Sequence, residues 1–156
     1  MARREGGTVE TIEHNVAVLR RLREMLARQR EKLGEYLRLL ECQGDSIEKG
    51  DTARLLEQVS MEKSLIADVF TLKKVIEPLE SLYEACYPAG SESTVPRLQQ
   101  ALETMGTEIM VRNARNRQRL RQRMEEIRGE ITSLRAWPRA ASTFTPAAPS
   151  LIDITT

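Results

Sequence analysis

A seven-residue apolar repeat is the feature of this 156-residue chain that most restricts its fold. A repeat of seven places apolar side chains along one stripe of a helix. Val16 and Leu37 stand at the companion position of the heptad, whereas Arg23 and Arg30 interrupt that position. The pattern predicts one long helix with a one-sided seam rather than a parallel zipper. The repeated residues are Ile12, Leu19, Leu26, Leu33, Leu40 and Ile47.

The ends of this first helix are set by glycines and capping residues. Gly6 and Gly7 predict a frayed segment over residues 1–8, after which Thr8 or Thr11 can cap a helix. Gly44 does not stop the helix, because Ile47 keeps the register beyond it. Gly50-Asp51 is the predicted turn, since glycine adopts the left-handed conformation and aspartate caps the next helix. The first helix is therefore predicted over residues 9–49.

The second predicted helix spans residues 51–86 and carries a broad apolar stripe. A two-residue turn makes it the antiparallel neighbour of the first helix. The stripe is wider than a two-helix seam requires, so it leaves room for a third helix or for a partner. Its members are Leu55, Leu56, Val59, Leu65, Ile66, Val69, Phe70, Leu72, Ile76, Leu79, Leu82 and Tyr83.

A third helix is predicted over residues 95–136, after a loop rich in small and helix-breaking residues. Thr94 is its predicted cap, with Pro96 in the first turn. Its apolar positions fall into two groups, separated by the polar residues Arg112, Asn113 and Asn116. The first group is Leu98, Leu102, Met105 and Ile109, and the second is Leu120, Met124, Ile127, Ile131 and Leu134. Residues 137–156 are predicted to be a flexible tail.

The composition favours a helical protein without an enzyme-like core. Apolar residues make up 40% of the chain and aromatic residues only 4%, while 30% are charged. Helices that bury one stripe and solvate the rest have such a composition. The predicted class is all-α, with a long antiparallel hairpin and a third long helix in a coiled-coil-like three-helix bundle. Residues 9–136 are predicted to form a single helical domain.

Catalytic and cofactor sites have little support in the sequence. His14 is the single histidine, and we expect it to be solvated or packed in the hairpin. No glycine-rich phosphate loop and no set of Cys and His ligands is present, so we expect neither an enzyme nor a cofactor. No apolar window approaches the roughly 20 residues that a membrane span needs. We therefore expect a cytoplasmic protein whose two cysteines, Cys42 and Cys86, stay reduced.

The strongest charge feature is an acid-free run from Arg112 to Arg123 that contains six arginines. Such a run could contact nucleic acid phosphates. It could instead dock on the acidic middle of the chain or on an acidic partner. We favour the second interpretation and expect no nucleic acid partner, because no stacking aromatic residues are interleaved with the arginines. Methionines on the helix faces suit either core filling or a surface that accepts a guest helix.

Several short motifs resemble the FlgN-type flagellar export chaperones when taken in order. The first is Leu39-Leu40 followed by Ile47-Glu48-Lys49-Gly50-Asp51, and the second is the leucine-spaced run Leu55-Leu56, Val59, Glu62-Lys63, Leu65-Ile66. Asn113 and Asn116 before Leu120, Met124, Ile127 and Ile131 resemble the paired asparagines of the family's third helix. The tail from Phe144 to Leu151-Ile152-Asp153 is similar to the tails of some members. The arginine density after Asn113 and Pro78 inside helix two depart from the family pattern.

The resemblance implies a cytosolic chaperone for hook-associated (hook-filament junction) proteins. Such a chaperone covers the terminal amphipathic helices of its client and delivers the client to the flagellar type III export gate. The implied partner-binding residues all lie on the third helix. They are Leu98, Leu102, Met105, Ile109, Asn113, Asn116, Leu120, Met124, Ile127, Ile131 and Leu134. Phe144 or Tyr87 is the implied contact with the export gate.

The alternative from another functional class is a structural coiled-coil or adaptor protein. Such a protein would use the same apolar stripe to associate with itself, so composition and periodicity alone do not separate the two hypotheses. A client-dependent complex would favour the chaperone. A stable oligomer that resists salt would favour the scaffold.

Overall fold

The computed structural model of the protein describes the backbone of residues 5–137 and the side chains of residues 8–137. Three α-helices and no strands occupy this part of the chain. They are α1 (Glu5–Lys49), α2 (Thr52–Cys86) and α3 (Thr94–Ala136). The predicted all-α class, with an antiparallel hairpin and a third long helix, is confirmed. The predicted tail lies outside the described residues except for Trp137.

The start of α1 differs from the prediction of a frayed segment over residues 1–8. The helix already includes Gly6 and Gly7, so neither Thr8 nor Thr11 is its cap. Once a helix is nucleated, each further residue adds one backbone hydrogen bond. A long α1 therefore tolerates two glycines near its end, although each costs about 1 kcal/mol relative to alanine.

The predicted turn between α1 and α2 is confirmed at Gly50 and Asp51. Gly50 has φ 68°, which is the left-handed region that favours glycine. The Gly50 amide donates to the Ile47 carbonyl at 3.2 Å, and the Asp51 amide donates to the Ser46 carbonyl at 2.9 Å. These two bonds form a Schellman motif. The Asp51 carboxylate then accepts a hydrogen bond from the Arg54 amide and caps α2.

Contacts between side chains fix the directions of the three helices. The Lys32 ammonium pairs with Asp68 and the Gln43 amide bonds to Glu62, so α2 runs antiparallel to α1. Arg23 of α1 contacts Thr94 at the start of α3, and Glu48 near the end of α1 pairs with Arg119 further along α3. Helix α3 is therefore parallel to α1 and antiparallel to α2.

Two apolar clusters hold the three helices together. The first contains Leu22, Met25, Leu26, Ile76 and Val95, with Leu19, Leu72, Leu79, Tyr83, Leu98 and Leu102 packed around it. The second contains Tyr36, Leu40 and Ile109, with Leu33, Leu37 and Leu65 around it. Burying an aliphatic side chain stabilises a fold by about 1.5–3 kcal/mol. The heptad repeat of α1 supplies residues to both clusters, as its periodicity predicts.

The heptad repeat does not form a seam at the beginning of α1. Ile12 and Val16 are more than half exposed, contrary to their predicted place in the seam. Helix α1 has 45 residues and α2 has 35, so an antiparallel α2 ends before it reaches the first turns of α1.

The cap of α3 also differs from the prediction. The Glu92 carboxylate accepts hydrogen bonds from the amides of Thr94 and Val95 at 2.7 and 2.8 Å. Arg23 of α1 donates to the same carboxylate at 2.5 Å. Thr94 is the first residue of the helix and not its cap. A charged group held between an arginine and a helix N-terminus outcompetes a hydroxyl for these amides.

The chain divides into two compact units, Met1–Arg123 and Met124–Thr156, whereas the sequence predicted a single helical domain over residues 9–136. Both apolar clusters belong to the first unit. In the second unit the described residues are the last part of α3 and Trp137, and all of them are exposed. No helix among residues 5–137 is long and apolar enough to cross a membrane.

Candidate helix-binding surface

The eleven predicted binding residues of α3 divide into a packed group and an exposed group. Leu98 and Leu102 pack against the first cluster, and Ile109 belongs to the second. Met105 is half-buried, and its Cε would lie 3.8 Å from a Cβ placed on Gly34 of α1. This first group of apolar residues therefore packs against the protein's own hairpin.

The two predicted asparagines bind α1 through hydrogen bonds. The Asn116 side chain is buried, and its amide donates to the Leu40 carbonyl at 2.7 Å. The Asn113 amide donates to the Tyr36 hydroxyl at 3.2 Å. A buried amide with a fixed partner sets the register of two helices, because sliding by one turn would leave it unsatisfied.

These asparagines belong to a larger polar layer, formed by Tyr36, Gln43, Glu62, Asn113 and Asn116. The Tyr36 hydroxyl donates to Glu62 at 2.6 Å, and the Gln43 amide donates to the other Glu62 oxygen at 2.8 Å. Burial, and next the hydrogen bond to Glu62, raise the pKa of Tyr36 to about 12. The hydroxyl therefore stays protonated and donating at any pH below that value.

Sequence reasoning found only the two asparagines of the polar layer. Tyr36 packs in the second apolar cluster, although a buried tyrosine hydroxyl normally needs a hydrogen-bond partner. That requirement is the signal that could have led from Tyr36 to a carboxylate on α2. Gln58 lies nearby in the sequence of α2, and its buried Oε1 atom has no hydrogen-bond partner among the described residues.

The arginine run lines a polar cleft between α1 and α3. The cleft has a volume of about 440 Å³, and acidic side chains line it together with Arg112, Arg115 and Arg119. Arg112 pairs with Glu108 at 2.6 Å and with Glu41 at 3.8 Å. Arg119 pairs with Glu48 at 3.1 Å. Arg119 thus docks α3 on the acidic middle of the chain (residues 43–91), as the sequence predicted, whereas both partners of Arg112 lie outside that segment.

Four apolar residues at the end of α3 form what we name the C-terminal stripe: Met124, Ile127, Ile131 and Leu134. Their spacings of three and four residues place them on one helical face. The first three are 44–45% exposed and Leu134 is 67% exposed. Leu120, the remaining predicted binding residue, is 39% exposed in the first unit. A row of exposed aliphatic residues marks an interaction surface more often than a scatter of single ones.

A second exposed face lies on α2, where the sequence predicted a stripe wider than one seam. Helical spacing puts Leu56, Val59, Ile66 and Phe70 on one side of the helix, away from Leu72 and Ile76 in the core. Phe70 is 59% exposed, and the Lys74 ammonium lies 4.8 Å from the centre of its ring. We name this face the outer stripe of α2.

The remaining residues that the sequence singled out are the two predicted export-gate contacts, the histidine and the two cysteines. Tyr87, one of the two predicted export-gate contacts, stacks on Tyr83 with 5.3 Å between ring centroids. Phe144, the other, lies outside the described residues. His14 is exposed, and Cys42 and Cys86 are free thiols. Among the side chains that the structure describes, no three His, Cys, Asp or Glu residues form a group that could hold a metal.

Comparisons with known proteins give one relative. No family model matches the chain, and no solved structure matches it. An uncharacterized protein of Treponema pallidum (strain Nichols) is 31% identical over 127 residues, which cover 81% of this chain and 81% of that protein. Identity at this level over most of both chains shows common descent. The chain therefore belongs to the same protein family as this Treponema pallidum protein.

Proposed function

We propose that the protein is a cytosolic flagellar export chaperone of the FlgN type. In this proposal it binds and masks the terminal amphipathic helices of hook-associated proteins and delivers these clients to the export gate. The observation that carries the proposal is the C-terminal stripe. Its four aliphatic residues lie on one face of a helix and are exposed to solvent.

Masking follows from the physical chemistry of such a face. A client helix with an apolar stripe can lay it against Met124, Ile127, Ile131 and Leu134, as in helix-in-groove recognition. Each half-exposed aliphatic side chain gains roughly 1 kcal/mol when a partner removes it from water. The same contact covers the apolar side of the client, which would otherwise associate with other client copies.

The division of α3 changes which residues should be tested. Substituting Leu102 or Ile109 with aspartate would place a charge in the packed clusters and destabilise the fold. Loss of binding in such a variant would then say nothing about the surface. Ile127 and Ile131 are exposed, so their substitution leaves the clusters intact.

The experiment compares two double variants of the full-length chain that carry the same added charge. Ile127→Asp/Ile131→Asp alters the C-terminal stripe, whereas Gln122→Asp/Ser133→Asp alters the opposite side of α3. We expect the first variant to lose capture of purified hook-associated proteins at least tenfold and the second to retain it. Circular dichroism checks that both remain helical. Equal capture by both variants would remove the C-terminal stripe as the binding surface.

Self-association is the competing function for the same stripe. Light scattering of the full chain, with and without a client, separates the two. A monomer that forms a defined complex with the client supports the chaperone. A stable oligomer that persists at high salt and ignores the client contradicts it.

A further inference from the structure

The two borders of the C-terminal stripe carry different charges. With Met124 and Ile131 at heptad position a, and Ile127 and Leu134 at position d, Arg128 and Arg135 both fall at position e. The opposite border, position g, has Glu130 and Trp137. One border of the stripe is therefore purely basic over these two heptads.

The two arginines of this border do not help to hold the described helices together. Both side chains are exposed. Neither guanidinium has an ion pair among the residues that the structure describes, in contrast to Arg112 and Arg119, which pair with Glu108 and Glu48. A helix that docks on the stripe would partly desolvate Arg128 and Arg135. Opposite charges on that helix would then be needed to offset the lost hydration.

We propose that the partner helix carries acidic residues seven positions apart along one border of its apolar stripe, facing Arg128 and Arg135. This inference rests on the proposed function and adds the chemistry of the partner to it. The arginine fork binds carboxylates with fixed geometry, so the border also selects the register of the docked helix. Apolar packing alone would allow that helix to slide by a heptad.

An antiparallel second copy of this chain fits the stripe less well than a separate acidic partner. The stripe covers only two heptads, and a coiled coil normally needs three or four. An antiparallel second copy would also set the basic border of one helix against the same border of the other. The two arginines would then face like charges, which destabilises an exposed pair.

The experiment uses the full chain and two synthetic 21-residue amphipathic helices as probes. The peptides share the same leucine stripe and differ only in having glutamate or lysine at every position of one border. Fluorescence anisotropy measures the Kd of each peptide at low and at high salt. We expect the glutamate peptide to bind about tenfold more tightly at low salt, since two exposed ion pairs replace two repulsive contacts.

Charge reversal provides the matched variants. Arg128→Glu/Arg135→Glu should invert the preference, so that the lysine peptide binds more tightly. Arg28→Glu/Arg30→Glu carries the same change in charge on exposed residues of α1 and should keep the preference for glutamate.

The outcomes separate the inference from the proposed function. Equal binding of both peptides, abolished by Ile127→Asp/Ile131→Asp, would overturn the acidic partner and leave the chaperone proposal standing. Binding of neither peptide would overturn both. Self-association through the stripe without peptide, lost in Ile127→Asp/Ile131→Asp, would replace the acidic partner with a second copy of the chain.

Discussion

At the scale of single residues, Gly44 shows how a local preference and a tertiary contact oppose each other. Glycine inside a helix costs about 1 kcal/mol relative to alanine. Gly44 nevertheless lies where α3 approaches α1. A Cβ at this position would lie 3.0 Å from an Arg119 nitrogen and 3.1 Å from the Asn116 Oδ1 atom. Arg119 can move aside, but Asn116 is buried and bonded to Leu40. A Cβ at residue 44 would therefore crowd Asn116 in the polar layer.

Alanine substitutions at Gly44 and Gly106 should therefore change the free energy of unfolding by different amounts. Gly106→Ala meets no atom within 4 Å and should raise the free energy of unfolding by roughly 0.5–1 kcal/mol. Gly44→Ala should be at least about 1 kcal/mol less favourable than Gly106→Ala, because Asn116 must shift. Urea unfolding of both variants measures the difference. Equal stabilisation by both would show that the Asn116 contact does not restrict residue 44.

At the scale of the elements, the turn between α1 and α2 and the start of α3 are held in different ways. The Schellman motif at Gly50 and the Asp51 cap are local, since all of their atoms lie within a few residues. The start of α3 depends instead on Arg23, which is 69 residues away from Glu92. Burial alone would raise the pKa of Glu92, but hydrogen bonds from Val95, Thr94 and Arg23 outweigh it and lower the pKa to about 2.

The lowered pKa of Glu92 predicts a specific dependence of stability on pH. Because the folded state lowers the pKa, the stabilisation is fully present above the ordinary value of about 4.5 and is lost as pH falls towards 2. Glu92→Gln should lower the free energy of unfolding by about 1–2 kcal/mol at pH 7. The variant should also lose less stability than the wild type between pH 4.5 and 2. Thermal unfolding across this range measures both effects.

A matched control for this prediction is Glu84→Gln, which removes a carboxylate from an exposed position on α2. It should leave the free energy of unfolding at neutral pH close to the wild-type value. The loss of stability between pH 4.5 and 2 should also match that of the wild type. An acid profile of Glu92→Gln that overlays the wild-type profile would show that the cap does not contribute.

At the scale of the whole molecule, packing and the proposed binding surface fall in different parts of the chain. Every buried residue that the structure describes lies between Val18 and Asn116, within the first compact unit. The C-terminal stripe belongs to the second unit, whose described residues are all exposed. The fold and the proposed recognition can therefore be altered separately.

Deletion of residues 124–156 tests this separation. The remaining chain keeps both apolar clusters and the polar layer, so its melting temperature should stay within a few degrees of the wild type. It should no longer capture a client helix through α3. Circular dichroism melts and the capture experiment measure the two properties. A drop of more than about 10 °C would show that the deleted residues stabilise the first unit.

The sequence by itself determined the helices and the turn between α1 and α2. Heptad spacing and the Gly50-Asp51 pair act over short distances, so their physical consequences can be derived from neighbouring residues. The flagellar resemblance and the client remain predictions.

Only the tertiary structure decided which part of each apolar stripe is covered. Ile12 and Ile127 have the same periodicity as Leu26 and Ile109, yet the first two are exposed and the last two are buried. Burial depends on whether another helix lies opposite, which is set by relative helix lengths and by contacts such as Asn116 with Leu40. A periodic pattern shows that a face is apolar. The pattern does not specify where along that face another helix will pack.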